Sequence, residues 1–291
     1  MRASAAVTLL SLVVALAVAA PVLAQAEPPA GVRAAGMGGA FTAVADDGSA
    51  VFWNPAGLAT GSFFSLIVDR NTLDTRSATL IALGTPPLGL SYYRTAARDL
   101  AGGGTALVAH HAGATVVQSL GGRVAVGATL KAIHGVVSAE GASVSSNKLD
   151  ADIGVMTTGA LGRIGLSVRN LTQPAFKAPG GGDVELERHV RAGISVNTGR
   201  KSVAAADVDL TTRTTARGDW REVALGAEAN PVRKAWLRGG VHWNTAGDTA
   251  APIGTLGASY AVYGSTVADA QVSFGSRDGD RGWGVGLRFV F

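Results

Sequence analysis

Gly282-Trp283-Gly284-Val285-Gly286-Leu287-Arg288-Phe289-Val290-Phe291 is the stretch whose reading decides the fold. Successive side chains of a strand point to opposite faces. Trp283, Val285, Leu287, Phe289 and Phe291 therefore share one face, while Gly282, Gly284, Gly286 and Arg288 share the other. A bulky apolar face backed by glycine and arginine reads as a lipid-facing strand around a polar lumen. Phe289 and Phe291 form its C-terminal barrel signature, the part offered to the barrel-assembly machinery.

The same split recurs upstream. Val124, Val126, Ala128, Leu130 and Ala132 oppose Arg123, Gly127, Thr129 and Lys131; Leu149, Ala151, Ile153 and Val155 oppose Asp150, Asp152 and Gly154. Further segments place Arg163 and Arg169, Arg191, Asp207 and Asp209, Glu222 and Glu228, Arg238, Asp269 and finally Arg288 on the second face. These charges mix both signs, so cross-strand pairing can hold lumen contents in place and close a pore to ions. A soluble β-sandwich would also alternate, but its apolar face needs bulk to fill a core. Many apolar positions here are Ala or Val. The expected fold is an all-β transmembrane antiparallel barrel of about 14 strands from residue 62 to 291, with 12 as the alternative count.

Connections give a second test, because such barrels have short periplasmic turns and longer external loops. The external candidates are Asn71 to Thr75, Thr95 to Gly104, Gly135 to Asn147, Asn170 to Glu185, Thr211 to Asp219, Asn244 to Ala251 and Ser276 to Asp280. The periplasmic candidates, such as Gly84 to Pro87 and Tyr263 to Ser265, are mostly shorter. Composition agrees: 40 glycines, 16% charged residues and no cysteine in 291 residues, with a mean hydropathy of +0.26. The absence of cysteine excludes disulfides and thiolate metal sites.

Arg2, the apolar run Ala5 to Ala20, and Ala24-Gln25-Ala26 before Glu27 follow the order of a secretory signal. The expected signal is residues 1–26, and its removal lowers the formal net charge from +4 by the one charge of Arg2. No local basic patch suggests nucleic acid. The expected location is the outer membrane of a Gram-negative-type bacterium, with outer-membrane lipid as the immediate partner.

Residues 27–61 differ in kind, being rich in Gly and Ala without period-two alternation. A barrel of fourteen strands is wider than side chains alone can fill, so this segment is the natural plug. Gly31-Val32-Arg33-Ala34-Ala35-Gly36-Met37-Gly38-Gly39-Ala40-Phe41, then Ala45-Asp46-Asp47, then Val51-Phe52-Trp53-Asn54-Pro55-Ala56-Gly57-Leu58 resembles the N-terminal hatch of the FadL superfamily. That superfamily includes long-chain fatty-acid and aromatic-hydrocarbon channels and the PorV/PorQ-type barrels of type IX secretion. The resemblance implies a 14-stranded barrel with a hatch in its lumen, carried by Gly36, Gly38, Gly39, Asp46, Asp47, Asn54, Pro55 and Ala56. This chain is shorter than the fatty-acid transporters, with short external loops and 6% aromatic residues.

Nothing points to an enzyme. His110, His111, His134, His189 and His242 lack a metal-ligand spacing, and no nucleophile elbow or P-loop occurs. Asp278-Gly279-Asp280 reads as a hairpin turn rather than a calcium site. No cofactor and no metal are expected. The leading function is passive uptake of small hydrophobic compounds, fatty-acid or hydrocarbon-like, gated by the hatch. It predicts an apolar pocket above Phe41, Phe52 and Trp53 and a break in the barrel wall near the hatch. The alternative is a PorV-like docking barrel for a secretion partner protein, with a solid interior and an exposed apolar patch around Pro174 to Gly182.

Overall fold

The structure, a computed structural model, describes residues 23–24, 30–98, 104–199, 201–215, 218–246, 251–276 and 280–291. The expected signal falls outside these apart from Leu23–Ala24, and so do Asp278 and Gly279. Fourteen antiparallel strands close into one barrel. They are β1 (Ser65–Leu73), β2 (Arg76–Thr85), β3 (Leu88–Ala97), β4 (Ala106–Leu120), β5 (Val124–Ala139), β6 (Ala142–Thr158) and β7 (Gly162–Arg169). The circuit continues with β8 (His189–Gly199), β9 (Ser202–Asp209), β10 (Glu222–Val232), β11 (Ala235–Asn244), β12 (Ile253–Tyr263), β13 (Thr266–Phe274) and β14 (Gly282–Val290), which pairs back onto β1.

Burial follows the alternation. Leu130, Leu149, Leu256, Val285 and Phe274 are exposed on the outside, whereas Lys131, Asp150, Asp207, Asp209 and Arg238 are buried on the inside. Water would penalise the first face, which a bilayer rewards; burial would penalise the second, which ion pairing within the lumen satisfies.

The two rims differ as the connections suggested. At one rim, Pro86–Pro87, Gly121–Arg123, Gly159–Leu161, Arg233–Lys234 and Gly264–Ser265 are short turns; the other rim carries the longer segments 98–105, 170–188, 210–221, 245–252 and 275–281. We call them the turn rim and the loop rim.

Several local expectations change. The loop expected from Gly135 to Asn147 is a hairpin. Its strands pair up to Ala139↔Ala142, turning at Glu140 and Gly141 with φ of 51° and 81°. The serines that suggested a loop pair across the ladder, with Ser138 Oγ 2.8 Å from Ser143 Oγ. Asn71 to Thr75 tightens in the same way, since β1 runs to Leu73. Arg123 is exposed in the turn before β5 begins, so strand phase does not reach it and it is not a lumen charge.

Segment 170–188 folds inward. Phe176, Val184 and Leu186 pack on Leu107, Ile133 and Val137 inside the loop-rim mouth. Gly135 makes room for the Phe176 ring, which a Cβ there would overlap. Pro174 and Phe176 are buried, and Lys177 and Gly180 to Gly182 are exposed, so the apolar patch expected from Pro174 to Gly182 is absent.

The described wall shows register irregularities only beside turn-rim connections, at Asn197/Gly199, Ala229/Val232 and Ala261/Tyr263, and the expected break does not appear around β3. β3 pairs with β2 from Arg76↔Ala97 to Thr85↔Leu88, and with β4 from Leu88↔Val116 to Ala97↔Leu107, without a register shift. No bulge interrupts either ladder, so backbone hydrogen bonds close the side of the barrel.

Candidate functional site

Residues 30–61 are almost entirely buried. The segment contains two short helices, α1 (Val32–Gly36) and α2 (Ala50–Trp53), and a 3-10 turn at Pro55–Thr60. These are too short to satisfy their own backbone groups, and inward-facing side chains of the strands do so instead. Asp207 Oδ2 accepts from the N–H groups of Phe41 and Thr42 at 3.0 and 2.9 Å. Asp69 accepts from Val32 N–H at 3.2 Å. The hydroxyls of Ser195 and Thr255 donate to the carbonyls of Ala43 and Gly36, each at 3.1 Å.

Close approach is set by glycine on the strands. Gly127 and Gly154 face each other across β5 and β6, and a Cβ on either would overlap the Asn54-Pro55-Ala56 backbone or the Asn54 side chain. Gly226 and Gly240 do the same for Met37 and Gly38. Asn54 then fixes the turn: its Nδ2 donates to Thr42 O and Val155 O at 2.9 and 3.2 Å, and its Oδ1 accepts from Ala56 N–H at 3.2 Å. Pro55 begins the 3-10 turn, a position that needs no N–H.

Two ion-pair networks tie the segment down. Toward the turn rim, Arg33 grips Glu228 with Nε and Nη2 at 2.9 and 2.8 Å, and its Nη1 reaches Asp46 at 2.5 Å and Asp47 at 3.0 Å. Arg238 also pairs with Glu228, at 2.5 Å, and Arg288 with Asp269, at 2.6 Å. Arg163 lies 3.5 Å from Asp46. Toward the loop rim, Arg191 pairs with Asp207, Asp209 and Glu222 at 2.7 to 3.1 Å and donates to Gly39 O at 3.0 Å. His189 and Arg213 add to Asp209, and His242 to Glu222. A third, separate cluster joins Lys131 to Asp150 and Asp152 at 3.0 and 2.8 Å and docks the base of segment 170–188 through Asn170.

Burial alone would raise the Asp47 carboxyl, but the Arg33 and Arg288 guanidiniums and the Ser49 hydroxyl hold it below the ordinary carboxylate value. A depressed folded value stabilises the docked segment above the unfolded value of about 4 and loses that stabilisation as pH falls through the folded value. Trp53 emission is thus expected to stay constant from neutral pH down to about 4.5 and to shift red below it. A shift beginning near neutral pH would count against this assignment.

The aromatic side chains form one stack. Phe52 meets Trp53 edge-on at 5.6 Å and Tyr93 at 5.5 Å, with the Arg169 guanidinium 3.6 Å above the Phe52 ring. Phe52 and Trp53 floor a cavity of about 90 Å³ on the loop-rim side, roofed by Arg213 and Trp220 and flanked by His189, His242, Leu73 and Ile253. Phe41 lies beneath, fully buried. The expected apolar pocket is therefore mixed in character, because strand phase puts charged lumen residues beside the aromatic floor. On the opposite side of the segment a wider vestibule of about 520 Å³ is lined by Arg33, Asp46, Arg163, Lys201, Glu228 and Trp236.

The hatch-motif residues and the charges of the Arg33 and Arg191 networks thus lie together around one segment, while Lys131, Asp150 and Asp152 form a separate cluster at the base of segment 170–188. The inward strand glycines and the loop residues Arg213 and Trp220 were not singled out from the sequence. The glycines carry a signal, since they recur at inward phase on neighbouring strands; the loop residues carry none.

Searches of protein-family models and of curated proteins give no match. Solved structures are similar in fold. The Ralstonia pickettii toluene transporter TbuX superposes with a TM-score of 0.67 at 15% identity, over 90% of this chain and 98% of that one. The monoaromatic hydrocarbon channel CymD gives 0.70 at 15% identity, over 89% and 96%. A Pseudomonas aeruginosa FadL homologue gives 0.59 at 11% identity, over 90% and 98%. The chain thus has a closed 14-strand barrel fold similar to those of these proteins, the architecture that the resemblance of its N-terminal motif implied.

Proposed function

We propose that this FadL-like barrel serves passive uptake of small hydrophobic compounds across the bacterial outer membrane, with residues 27–61 as a hatch in the lumen. One observation carries the reading: the buried segment lines two cavities toward opposite rims, one with Gly38, Phe52 and Trp53 and the other with Arg33, Val44 and Asp46. Moving that segment would connect them. An apolar cavity of roughly 150 Å³ holds a benzene ring, so the 90 Å³ cavity suits a ring-sized solute after a small side-chain shift better than a long acyl chain. Its arginines and histidines tolerate one polar substituent on that ring. With the ladders on both sides of β3 free of register shifts, passage runs down the lumen, and the Arg33 and Arg191 networks are the latch.

The test uses proteoliposomes whose outer leaflet is lipopolysaccharide, which resists apolar solutes. Uptake of toluene, a long-chain fatty acid and a small sugar is compared. Toluene entering faster than through protein-free vesicles, with the sugar excluded, is the expected result; replacing Asn54-Pro55-Ala56 by Ala-Ala-Ala is expected to abolish that selectivity. The filled lumen favours a second reading, the docking barrel without transport. No uptake of any solute by a heat-modifiable, correctly folded barrel would select it.

A further inference from the structure

The outer face of β1 to β6 carries a feature that passage through the lumen does not use. Crossing these strands in register, the outward positions read Arg70, Thr79, Arg94, His110, His134 and Asn147. The row is knit together. Arg70 donates to Thr79 Oγ1 at 3.2 Å, Tyr92 Oη lies 2.8 Å from His110 Nδ1, and His134 Nδ1 lies 2.7 Å from Asn147 Oδ1. The two imidazole centroids are 6.3 Å apart. Among the described residues, no outward strand position carries Asp or Glu. The described strands therefore give this basic face no outward counter-charge.

Depth places the histidines at the edge of the bilayer. On β5 the outward run Val124, Val126, Ala128, Leu130 and Ala132 precedes His134. Ten residues at about 3.4 Å each, tilted by roughly 40°, rise about 26 Å, which matches an apolar band of about 25 Å. His134 and its neighbour His110 then meet the headgroups of the loop-side leaflet. Directly on the hydrocarbon side lies the row Tyr92, Ala112, Ala132 and Leu149. The two small alanines between larger flanks leave an outer groove of about 370 Å³.

We propose that this is a binding site for an anionic, phosphomonoester-bearing lipid of the loop-side leaflet, its phosphate against Arg94, His110 and His134 and one acyl chain along Ala112 and Ala132. Charge complementarity selects the occupant. Guanidinium and imidazole N–H donors match phosphate oxygens. A second copy of this chain would bring no outward carboxylate to meet them. The apolar groove continuing into the hydrocarbon layer selects a lipid over a soluble phosphate. The site is on the outside of the wall, so it is independent of whether the lumen transports anything.

The test is native mass spectrometry of the full-length protein released from micelles containing equal phosphatidic acid and phosphatidylcholine. About a tenfold preference for retained phosphatidic acid, near 1.4 kcal/mol, is expected for the native chain. That preference is expected to vanish in the R94Q/H110Q/H134Q variant, while A132F weakens retention of both lipids. If the triple variant does not give a heat-modifiable barrel, R94Q alone is used and a reduced preference is expected. Equal retention of the two lipids, a preference unchanged by the substitutions, displacement by inorganic phosphate with no dependence on acyl chains, or dimerisation through this face would each overturn the proposal.

Discussion

R33M is expected to turn a quiet barrel into a leaky one. Arg33 is the hub of the turn-rim network, binding Glu228 with two nitrogens and reaching Asp46 and Asp47 with a third. Methionine keeps much of the side-chain length but leaves three carboxylates facing each other with one cation fewer. Breaking a buried ion pair costs roughly 3–5 kcal/mol; the vestibule beside it is open to water, so the lower end of that range applies. Segments as short as α1 and α2 have little stability of their own, so a loss of that size is enough to undock the segment. The measurement is ion conductance in planar bilayers together with the chymotrypsin sensitivity of residues 30–61, which hold Phe41, Phe52 and Trp53. The native protein should show neither, and R33M both, with the barrel still heat-modifiable. Partial restoration by R33M/E228Q, which removes one of the stranded charges, would tie the effect to that pair. Unchanged conductance in R33M would falsify the latch.

G154L should have an effect of similar size for a steric reason. Gly154 points into the lumen, and even a Cβ there would overlap the Asn54 side chain. A leucine must expel Asn54 from its hydrogen bonds to Thr42, Val155 and Ala56, each worth about 1 kcal/mol, besides an overpacking cost of about 1–3 kcal/mol. The neighbouring outward positions Ile153 and Val155 face the membrane side, so a conservative exchange such as V155L serves as the control for strand perturbation. The expected outcome is a folded barrel whose Trp53 emission shifts red and whose residues 30–61 become protease-sensitive in G154L but not in V155L. Equal protection in the two would show that the glycine notch does not seat the segment.

The alternation of side chains was enough, without any structure, to give the all-β barrel, the inward side of each lumen charge within a strand, and the contrast between short turns and longer connections, while the choice of fourteen strands over twelve came with the closed circuit. Phase is a local property of a strand, fixed by its own backbone, and the sequence displays it directly. It fails where the strand has not begun, as at Arg123, and where polar residues form a ladder rather than a loop, as at Ser138 and Ser143. The N-terminal motif likewise announced a compact glycine-rich segment, because close backbone approach leaves its mark in residue type.

Only the tertiary structure decided which charges meet. Arg33 is 195 residues from Glu228, and Arg191 gathers partners from two other strands and from Gly39; nothing in either local sequence specifies such a partner, since closure of the barrel is what brings them within reach. The same holds for the unbroken ladder around β3, the inward fold of segment 170–188, and the row from Arg70 to Asn147. Each depends on register between strands, and register is set by the pairing of whole strands, hydrogen bond by hydrogen bond, around a closed circuit.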